Sequence, residues 1–447
     1  MNINIKNNLI IFFTFLIYIS FVLGFCFNEN SIGSGGYDGD LGWMWKNFTI
    51  YKSNDLWTSI HHPDFFGNRT PLLYILHILF NPFIYDIDSY RFIVFCISFL
   101  APLIFYICLT QKFKHTDKTI LFFISSFILL SPYYRTSAYW GLEINYGIIT
   151  MLSSILFLNY TLYNNANSKL KLYFSLTLLT FFSSLCVYFD QKLLIIPLIV
   201  LFEILRSKIN FRYKIFSLIN YCIFAIPFLY LIIIWKGIVP PATQISNPDQ
   251  GTHMSGFNLH LFHIGYASAI MAFYLLPIIF LKADSIVNIF KNFFSEGKNL
   301  YKVLVFLIYL IYIVIFDDYE DFTIDKQWTN IHGVYGLGIL HKVSLILFND
   351  LLYREVFTYF SFFISWIMIL IAIERKTINY VIIFYFYFLS LLLFPIVQEY
   401  FDPYMLLFSL LVLNLKFDFK FEKILSVFLY LVVFLASANL YYFIKFS

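Results

Sequence analysis

Residues 8–27 read NLIIFFTFLIYISFVLGFCF, and residues 31–71 read SIGSGGYDGDLGWMWKNFTIYKSNDLWTSIHHPDFFGNRTP. The first stretch is almost wholly apolar and has the length of about 20 residues that a bilayer-spanning helix needs. The second stretch concentrates carboxylates, histidines and an arginine among aromatic side chains. A lipid-soluble segment followed directly by a dense polar loop indicates a membrane protein that carries out chemistry at the membrane surface.

The composition indicates the same class along the whole chain. Hydrophobic residues make up 60% of the 447 residues, charged residues make up 13%, and the mean hydropathy is +0.76. A soluble domain carries about a quarter charged residues, so this chain has too few charges to cover a water-facing surface. One large soluble core is also excluded, since single cores stop growing near roughly 250–300 residues. We therefore predict a single all-α polytopic membrane domain over residues 1–447.

Thirteen apolar segments are predicted to be membrane helices, within a range of 11 to 13. They are residues 8–27, 89–110, 119–133, 144–163, 171–189, 192–206, 215–235, 259–281, 301–316, 356–373, 378–397, 403–415 and 424–444. The first run is longer than the roughly 7–15 apolar residues of a signal peptide, so we expect it to be retained. The five cysteines lie in or at the ends of apolar segments without CxxC spacing, which is typical of core residues.

Basic residues lie mostly on one side of this arrangement. With the N-terminus in the cytoplasm, the inside segments hold 19 of the 30 Lys and Arg residues and 7 of the 26 Asp and Glu residues, allowing a residue or two at each boundary. An excess of Lys and Arg marks the cytoplasmic side, and the runs at 112–118 and 206–214 show it most clearly. We therefore expect an outer C-terminus, with residues 71–87 on the outer surface.

The concentrated polar sequence then lies in outer loops. Loop 28–88 carries the candidate site and juxtamembrane helices. Loop 317–355 has an apolar second half, so we expect 337–352 to lie on or dip into the outer leaflet as a lid or acceptor groove. The inside loops are short and hold no P-loop or dinucleotide glycine motif. A nucleotide-dependent reaction on the inside therefore has no support in the sequence.

The order of motifs in the first 200 residues resembles a known superfamily. YDGD (37–40), NDLW (54–57) and HHPDFFGNRTPLLYILHILF (61–80) are followed by SYRFIVFCISFLAPLIFYICL (89–109) and ILLSPYYRTSAYWGLE (128–143). This series is similar to the GT-C polytopic glycosyltransferases, in the branch of bacterial protein O-mannosyltransferases and lipid A aminoarabinose transferases. The resemblance implies inverting transfer of a sugar from a polyprenyl-phosphate donor at the outer face of a bacterial inner membrane. The acceptor is a glycolipid, a polysaccharide or a protein.

The resemblance implies that one carboxylate of Asp38-Gly-Asp40 is the catalytic base. Such a base takes the proton of the acceptor hydroxyl as the anomeric carbon is attacked. We favour Asp38, because it follows Tyr37, which is itself a candidate substrate contact, and Asp40 stays open. One alternative is a solvated turn, in which Asp and Gly are common. Another is a shared Mg²⁺ or Mn²⁺ ion, since hard cations prefer oxygen ligands.

Arg69 is the predicted ligand of the donor phosphate. It comes just before the helix expected to start at Pro71, where a helix N-terminus favours anions, and a guanidinium binds phosphate through two parallel hydrogen bonds. Contact with bulk lipid head groups is the alternative. Asn68 stands where the zinc-binding part of the family places a Glu, which argues against a structural zinc. Arg135 is a second candidate for the phosphate and Glu143 for the substrate, with snorkelling of the arginine as the alternative.

Four further residues are candidate substrate contacts. Asp190 and Lys192 lie between two apolar segments with almost no loop, so an internal ion pair explains them equally well. Glu399 and Tyr400 lie at an outer helix junction. The nine histidines show no recognised metal-binding spacing, so we name no metal ligand.

Two other functional classes are compatible with many apolar helices. A polysaccharide polymerase or ligase is expected to have Arg-rich later outer loops, whereas these loops are acid-rich. A flippase or transporter of lipid-linked sugars is expected to have broken helices, paired charges within its spans and repeated halves. The sequence shows none of these features, so we predict a glycosyltransferase with lipid and acceptor partners and no nucleic acid.

Overall fold

The structure is a computed structural model. It describes residues 3–33, 36–67, 69–163, 168–246, 259–282, 291, 297–316, 337–373, 376–393 and 396–446. In these parts of the chain every named element is helical, and one isolated antiparallel bridge joins Lys282 and Phe417. The prediction of an all-α protein is confirmed.

The described residues fall into two compact units. The first holds residues 3–246 and 438–442, and the second holds residues 259–437 and 443–446. The helices of the first unit are α1 (Ile3–Cys26), α2 (Gly42–Ser53), α3 (Leu56–Ile60), α4 (Leu72–Phe80), α5 (Ile87–Ser98), α6 (Leu100–Lys112), α7 (Lys118–Ser126), α8 (Pro132–Tyr139), α9 (Ile144–Tyr163), α10 (Lys169–Phe189), α11 (Ile195–Arg206), α12 (Phe211–Trp235) and α13 (Pro241–Ser246). The others are α14 (His263–Phe280), α15 (Gly297–Phe316), α16 (Gly338–Leu347), α17 (Leu351–Ala372), α18 (Thr377–Leu392), α19 (Tyr404–Leu411) and α20 (Phe421–Phe446).

Seven helices of the described chain are long and apolar enough to cross a membrane. They are Ile5–Cys26, Ile87–Lys112, Lys169–Phe189, Phe211–Trp235, His263–Phe280, Leu351–Ala372 and Phe421–Ile444. The helices α8 and α9 form an eighth candidate as a pair bent by 116°. The protein is therefore an integral helical membrane protein.

The count of thirteen spans is not confirmed, because several predicted spans are too short. The segments 192–206, 378–397 and 403–415 correspond to α11, α18 and α19, which have 12, 16 and 8 residues. At 1.5 Å per residue even the longest of these covers about 24 Å, less than the ~30 Å of a bilayer core. Apolar composition thus identified the helical segments, but their lengths support seven or eight spans in the described residues.

The first polar loop folds into short capped helices. Asp55 caps α3 by accepting a hydrogen bond from the Thr58 N–H (3.0 Å). The helix expected to start at Pro71 begins at Leu72, with Pro71 at the N-cap position. Local capping chemistry therefore explains why a loop so rich in Asp, Ser and Thr breaks into several helices instead of one.

The core of the first unit combines apolar packing with hydrogen bonds between helices. The helix α9 packs along α10 and α6, and α10 also packs against α12. The Asn220 amide of α12 donates to the Thr180 hydroxyl of α10 (3.2 Å). In lipid, such polar contacts contribute to the association of helices that have no hydrophobic drive toward one another.

In the second unit α14 lies against α17 and α18. Gln398 joins two elements there, because its amide donates to the Tyr274 hydroxyl (2.9 Å) and its carbonyl accepts from the Ile339 N–H (3.1 Å). Ile339 belongs to α16, which lies within the predicted lid 337–352. The rest of that loop, residues 317–336, lies outside the described residues, so the lid stays a prediction.

Candidate functional site

Residues 140–143 form a sharp bend between α8 and α9. Gly141 has φ = +73°, a left-handed conformation that glycine adopts without steric cost. A Cβ atom at this position would lie 2.6 Å from the Tyr90 ring, and the Tyr90 hydroxyl donates to the Gly141 carbonyl (2.6 Å). We expected an outer loop over residues 131–143, whereas α8 is helical and mostly buried. The bend is therefore a fixed break inside the protein.

Glu143 of this bend forms an ion pair with Arg69. The distance from Arg69 Nη1 to Glu143 Oε1 is 3.6 Å, which is longer than a usual N–H···O hydrogen bond, and the two side chains are 18% and 8% exposed. Among the described residues, Glu143 Oε2 has no hydrogen-bond partner. Burial raises the pKa of the nearby Tyr74 hydroxyl well above its usual range, and the Glu143 carboxylate raises it further. A half-satisfied carboxylate thus faces the predicted phosphate ligand.

Neighbouring residues on both sides hold Arg69 in place. The Thr243 hydroxyl accepts from the Gly67 N–H (2.9 Å) and donates to the Gly67 carbonyl (3.0 Å). The Thr70 hydroxyl donates to the Tyr188 carbonyl (2.7 Å) at the end of α10. The backbone that carries Arg69 is therefore anchored independently of the ion pair.

Asp190 and Lys192 lie at the same end of α9. Asp190 is 1% exposed, accepts from the Lys192 N–H (3.1 Å) and has its carboxylate 3.5 Å from Lys192 Nζ. A Cβ atom on Gly147 would contact the Asp190 Cβ at 3.3 Å. The Gly147 N–H donates to the Glu143 carbonyl (3.1 Å) one helical turn earlier. The internal ion pair named as an alternative for Asp190 and Lys192 is present, and it adjoins the turn that carries Glu143.

The acidic motif packs on the bend from another direction. Tyr37–Leu41 is a π-helical turn entered through Gly36 (φ +57°). Gly36 lies against the Trp140 ring, where a Cβ atom would be 3.4 Å away, and a Cβ atom on Gly141 would be 3.3 Å from the Leu41 side chain. Single π-helical turns occur frequently at functional sites. The motif and the Arg69 loop therefore meet the same four-residue bend.

The two carboxylates of this turn differ in their surroundings. Asp38 is exposed and Asp40 is half-buried, while Tyr37 is 39% exposed. Side chains two positions apart on a helical turn do not face each other, so Asp38 and Asp40 are poorly arranged to chelate one Mg²⁺ or Mn²⁺ ion. Within the described chain no group of three His, Cys, Asp or Glu side chains is arranged to hold a metal ion. The shared-ion alternative does not fit this geometry.

Arg135 belongs to a separate ion pair, in which the arginine is fully buried and Glu29 is half-buried. Its guanidinium is 1% exposed and donates to both carboxylate oxygens of Glu29, with Nε to Oε1 at 2.8 Å. It also donates to the carbonyls of Leu129 (3.1 Å) and Ser20 (2.8 Å). Neither a phosphate ligand nor a snorkelling side chain matches these surroundings, so we leave Arg135 out of the proposed site. No spacing pattern links Arg135 to a partner 106 residues earlier.

Arg91, near the start of α5, supports the bend. Its Nε donates to the Tyr139 carbonyl (2.7 Å) and its Nη2 to the Phe25 carbonyl (3.0 Å). Its guanidinium carbon lies 4.5 Å from the centroid of the Trp140 ring. These contacts fix the end of α8 where the bend begins.

The remaining predicted residues lie apart from this group. Glu399 and Tyr400 belong to a short 3-10 turn, Gln398–Tyr400, in the second unit, and both are half-buried. They stay predictions, and Asn68 lies outside the described residues. The sequence analysis overlooked Trp140 and Asn145, both buried at the bend. An asparagine at the start of an otherwise apolar helix was the available signal for the second of them.

Comparison of the chain with protein-family models, curated proteins and solved structures finds no match. The fold and the bend define an integral helical membrane protein in which a sharply bent helix pair carries a buried carboxylate. Membership of the GT-C superfamily therefore stays a prediction from the sequence motifs.

Proposed function

We propose that this protein is a membrane glycosyltransferase that moves a sugar from a polyprenyl-phosphate donor to an acceptor at the outer face of a bacterial inner membrane. The observation that carries the proposal is that two parts of the first polar loop, at residues 36–41 and at Arg69, contact the bend at residues 140–143. Arg69 pairs with Glu143 of the bend, and the turn that bears Asp38 and Asp40 packs on residues 140–141. The predicted anion ligand and the turn that bears the two candidate bases thus contact the same bend.

The reaction is a single displacement at the anomeric carbon. The acceptor hydroxyl oxygen attacks this carbon while a carboxylate of Asp38 or Asp40 takes its proton. The bond from the anomeric carbon to the phosphate oxygen breaks, and the polyprenyl phosphate leaves with the electron pair. General base catalysis of this kind contributes about 10²- to 10⁴-fold in rate. We favour Asp38, because an exposed carboxylate is accessible to an acceptor that arrives from water.

Arg69 neutralises the phosphate of the donor and of the leaving lipid. A preorganised guanidinium in a partly buried site stabilises developing negative charge more strongly than it does in water. The Glu143 carboxylate, 3.6 Å away, compensates the positive charge of the Arg69 guanidinium before the donor binds. A phosphate that forms two parallel hydrogen bonds is the stronger partner for a guanidinium, so it competes effectively with this contact.

The proposal is tested by transfer from radiolabelled polyprenyl-phosphate sugars with purified protein in nanodiscs. We expect Asp38→Asn to lower the rate about 10²- to 10⁴-fold, and the double variant with Asp40→Asn to be at least as slow, with unchanged melting temperatures. Asp55→Asn is the matched control on the same loop, because Asn caps a helix as well as Asp does. Full transfer by an inserted, folded double variant would rule out the acidic motif as the base.

A transporter of lipid-linked sugars is the second candidate, favoured by one specific observation. The pair α8 and α9 is a broken helix with a buried carboxylate at its break, and transporters bind substrates at discontinuous helices. Proteoliposomes that contain a fluorescent lipid-linked sugar and no acceptor distinguish the two functions. A transporter equilibrates the lipid between leaflets, whereas the transferase leaves its distribution unchanged.

A further inference from the structure

The bend carries a concentration of buried polar atoms without partners. Within residues 140–145, Trp140 Nε1, Glu143 Oε2 and both the Oδ1 and Nδ2 atoms of Asn145 have no hydrogen-bond partner among the described residues. The three residues are 2%, 6% and 0% exposed, respectively. Each buried polar atom left unpaired costs about 1–3 kcal/mol, and most such atoms in native proteins are paired.

Other buried asparagines of the first unit are paired. The Asn47 amide donates to the Phe66 carbonyl (2.6 Å), and Asn220 donates to the Thr180 hydroxyl (3.2 Å). The state of Asn145 is therefore particular to the bend. A bound group that both donates and accepts hydrogen bonds would satisfy it.

The four atoms require a group that both donates and accepts hydrogen bonds, as hydroxyl groups and water do. Trp140 Nε1 and Asn145 Nδ2 are donors, whereas Glu143 Oε2 and Asn145 Oδ1 are acceptors. A phosphate only accepts and an ammonium only donates, so each of them would leave half of the set unpaired. Hydroxyl groups do both. We infer that the bend at residues 140–145 binds the sugar hydroxyls of the lipid-linked donor, an inference that rests on the proposed function.

The position of Glu143 fits this assignment. Its Oε1 atom faces Arg69, and its Oε2 atom is the one without a partner. The two oxygens of one carboxylate thus adjoin the phosphate ligand and the hydroxyl site. In a sugar phosphate the charged group and the hydroxyls are likewise neighbours, so one donor can occupy both parts.

The test compares two lipids in nanodiscs with the full-length protein. One is undecaprenyl phosphate, and the other is the same lipid carrying glucose, mannose or arabinose. We expect the wild type to bind at least one sugar-bearing lipid at least tenfold more tightly than undecaprenyl phosphate. Asn145→Leu, and equally Asn145→Ala, should lose this gain while keeping the affinity for undecaprenyl phosphate within twofold. Asn220→Leu is the matched control, because it removes a buried asparagine that has a hydrogen-bond partner. It should keep the higher affinity for the sugar-bearing lipid.

Melting temperatures on the same samples separate binding from folding. Replacing an unpaired buried amide with an apolar group of similar size is close to neutral for stability, so Asn145→Leu should melt no lower than the wild type. The inference is overturned if no sugar-bearing lipid gains affinity over undecaprenyl phosphate, or if the gain survives in both Asn145 variants. If Arg69→Gln binds undecaprenyl phosphate as tightly as the wild type does, the phosphate site of the proposed function is overturned instead.

Discussion

Two arginine–glutamate pairs in the first unit consist of the same residue types but differ in how their carboxylates are satisfied. Glu29 accepts from Arg135 through both oxygens and from the Asn439 amide (3.3 Å). Glu143 lies 3.6 Å from Arg69 through one oxygen, and the other oxygen has no partner among the described residues. The first pair joins helices, whereas the second retains capacity for a ligand.

The difference teaches that a charged residue beside a membrane span is not by itself a functional signal. Arg69 and Arg135 both follow an aromatic stretch in a region predicted to face outward. Only the hydrogen bonds around each guanidinium separate a structural role from a binding role. A fully satisfied buried network makes the fold rigid, whereas the Glu143 oxygen without a partner among the described residues is where we propose that a ligand binds.

The largest effect on stability is expected at the buried pair. Arg135→Gln leaves the Glu29 carboxylate, whose side chain is 13% exposed, without its cation, so the free energy of unfolding should fall by up to about 3–5 kcal/mol. Thermal unfolding in detergent measures this loss. The double variant Arg135→Met with Glu29→Met removes both charges and should recover much of it. A change below about 1 kcal/mol in Arg135→Gln would contradict the structural role.

A buried neutral imidazole that contacts α9 makes stability depend on pH. The His77 ring contacts the Tyr146 hydroxyl (2.6 Å) in the first turn of α9, and burial lowers its pKa from 6.5 to about 4. Between these values the unfolded chain binds a proton that the folded protein does not, so stability is complete above pH 6.5 and is lost as the pH falls toward 4. The loss reaches about 3 kcal/mol at most.

Melting curves between pH 7.5 and pH 4.5 check this dependence. His77→Gln should melt with a smaller difference between the two pH values than the wild type shows. His61→Gln, at an exposed histidine, is the control and should keep the full difference. Equal pH dependence in the wild type and in His77→Gln would show that His77 is not the group responsible.

A smaller effect is expected where α1 approaches the buried pair. A Cβ atom on Gly24 would come within 3.0 Å of atoms of Glu29, Tyr139 and Arg135. Gly24→Ala should therefore displace the pair and lower the free energy of unfolding by about 1–3 kcal/mol. Gly42→Ala is the matched control, because its Cβ atom would have its nearest neighbour at 3.5 Å. Equal melting temperatures for the two alanine variants would contradict close packing around the pair.

The smallest effect on stability is expected at the ion pair between Arg69 and Glu143. The Arg69 side chain is 18% exposed, and its Nη1 atom lies 3.6 Å from a single Glu143 oxygen, beyond the usual hydrogen-bond distance. Arg69→Gln therefore removes a weaker contact than Arg135→Gln does and should lower the free energy of unfolding by less. Thermal unfolding beside Arg135→Gln measures the contrast directly. A loss as large as that of Arg135→Gln would make both pairs structural.

The sequence was sufficient for the features that depend on local pattern. Apolar runs identified the helical segments, and the density of Asp, His and Arg identified the first polar loop. The bend at 140–143 could not be predicted, because it depends on the left-handed Gly141 packed against Tyr90, 51 residues earlier. The spacing of residues in the sequence likewise does not predict long-range contacts such as that between Arg135 and Glu29. The thirteen predicted spans are not confirmed, since the described residues hold seven or eight candidate spans and apolar composition does not by itself fix the length of a helix.

The most direct measurement of the central claim is the affinity for undecaprenyl phosphate of the wild type, Arg69→Lys and Arg69→Gln in nanodiscs, with melting temperatures from the same samples. A charged hydrogen bond contributes about 1.5–3 kcal/mol. We therefore predict at least tenfold weaker binding by Arg69→Gln, an intermediate affinity for Arg69→Lys, and melting temperatures of both variants above that of Arg135→Gln and above the temperature of the binding assay. Wild-type affinity in Arg69→Gln would contradict the account, and so would a loss of binding that occurs only because the variant unfolds.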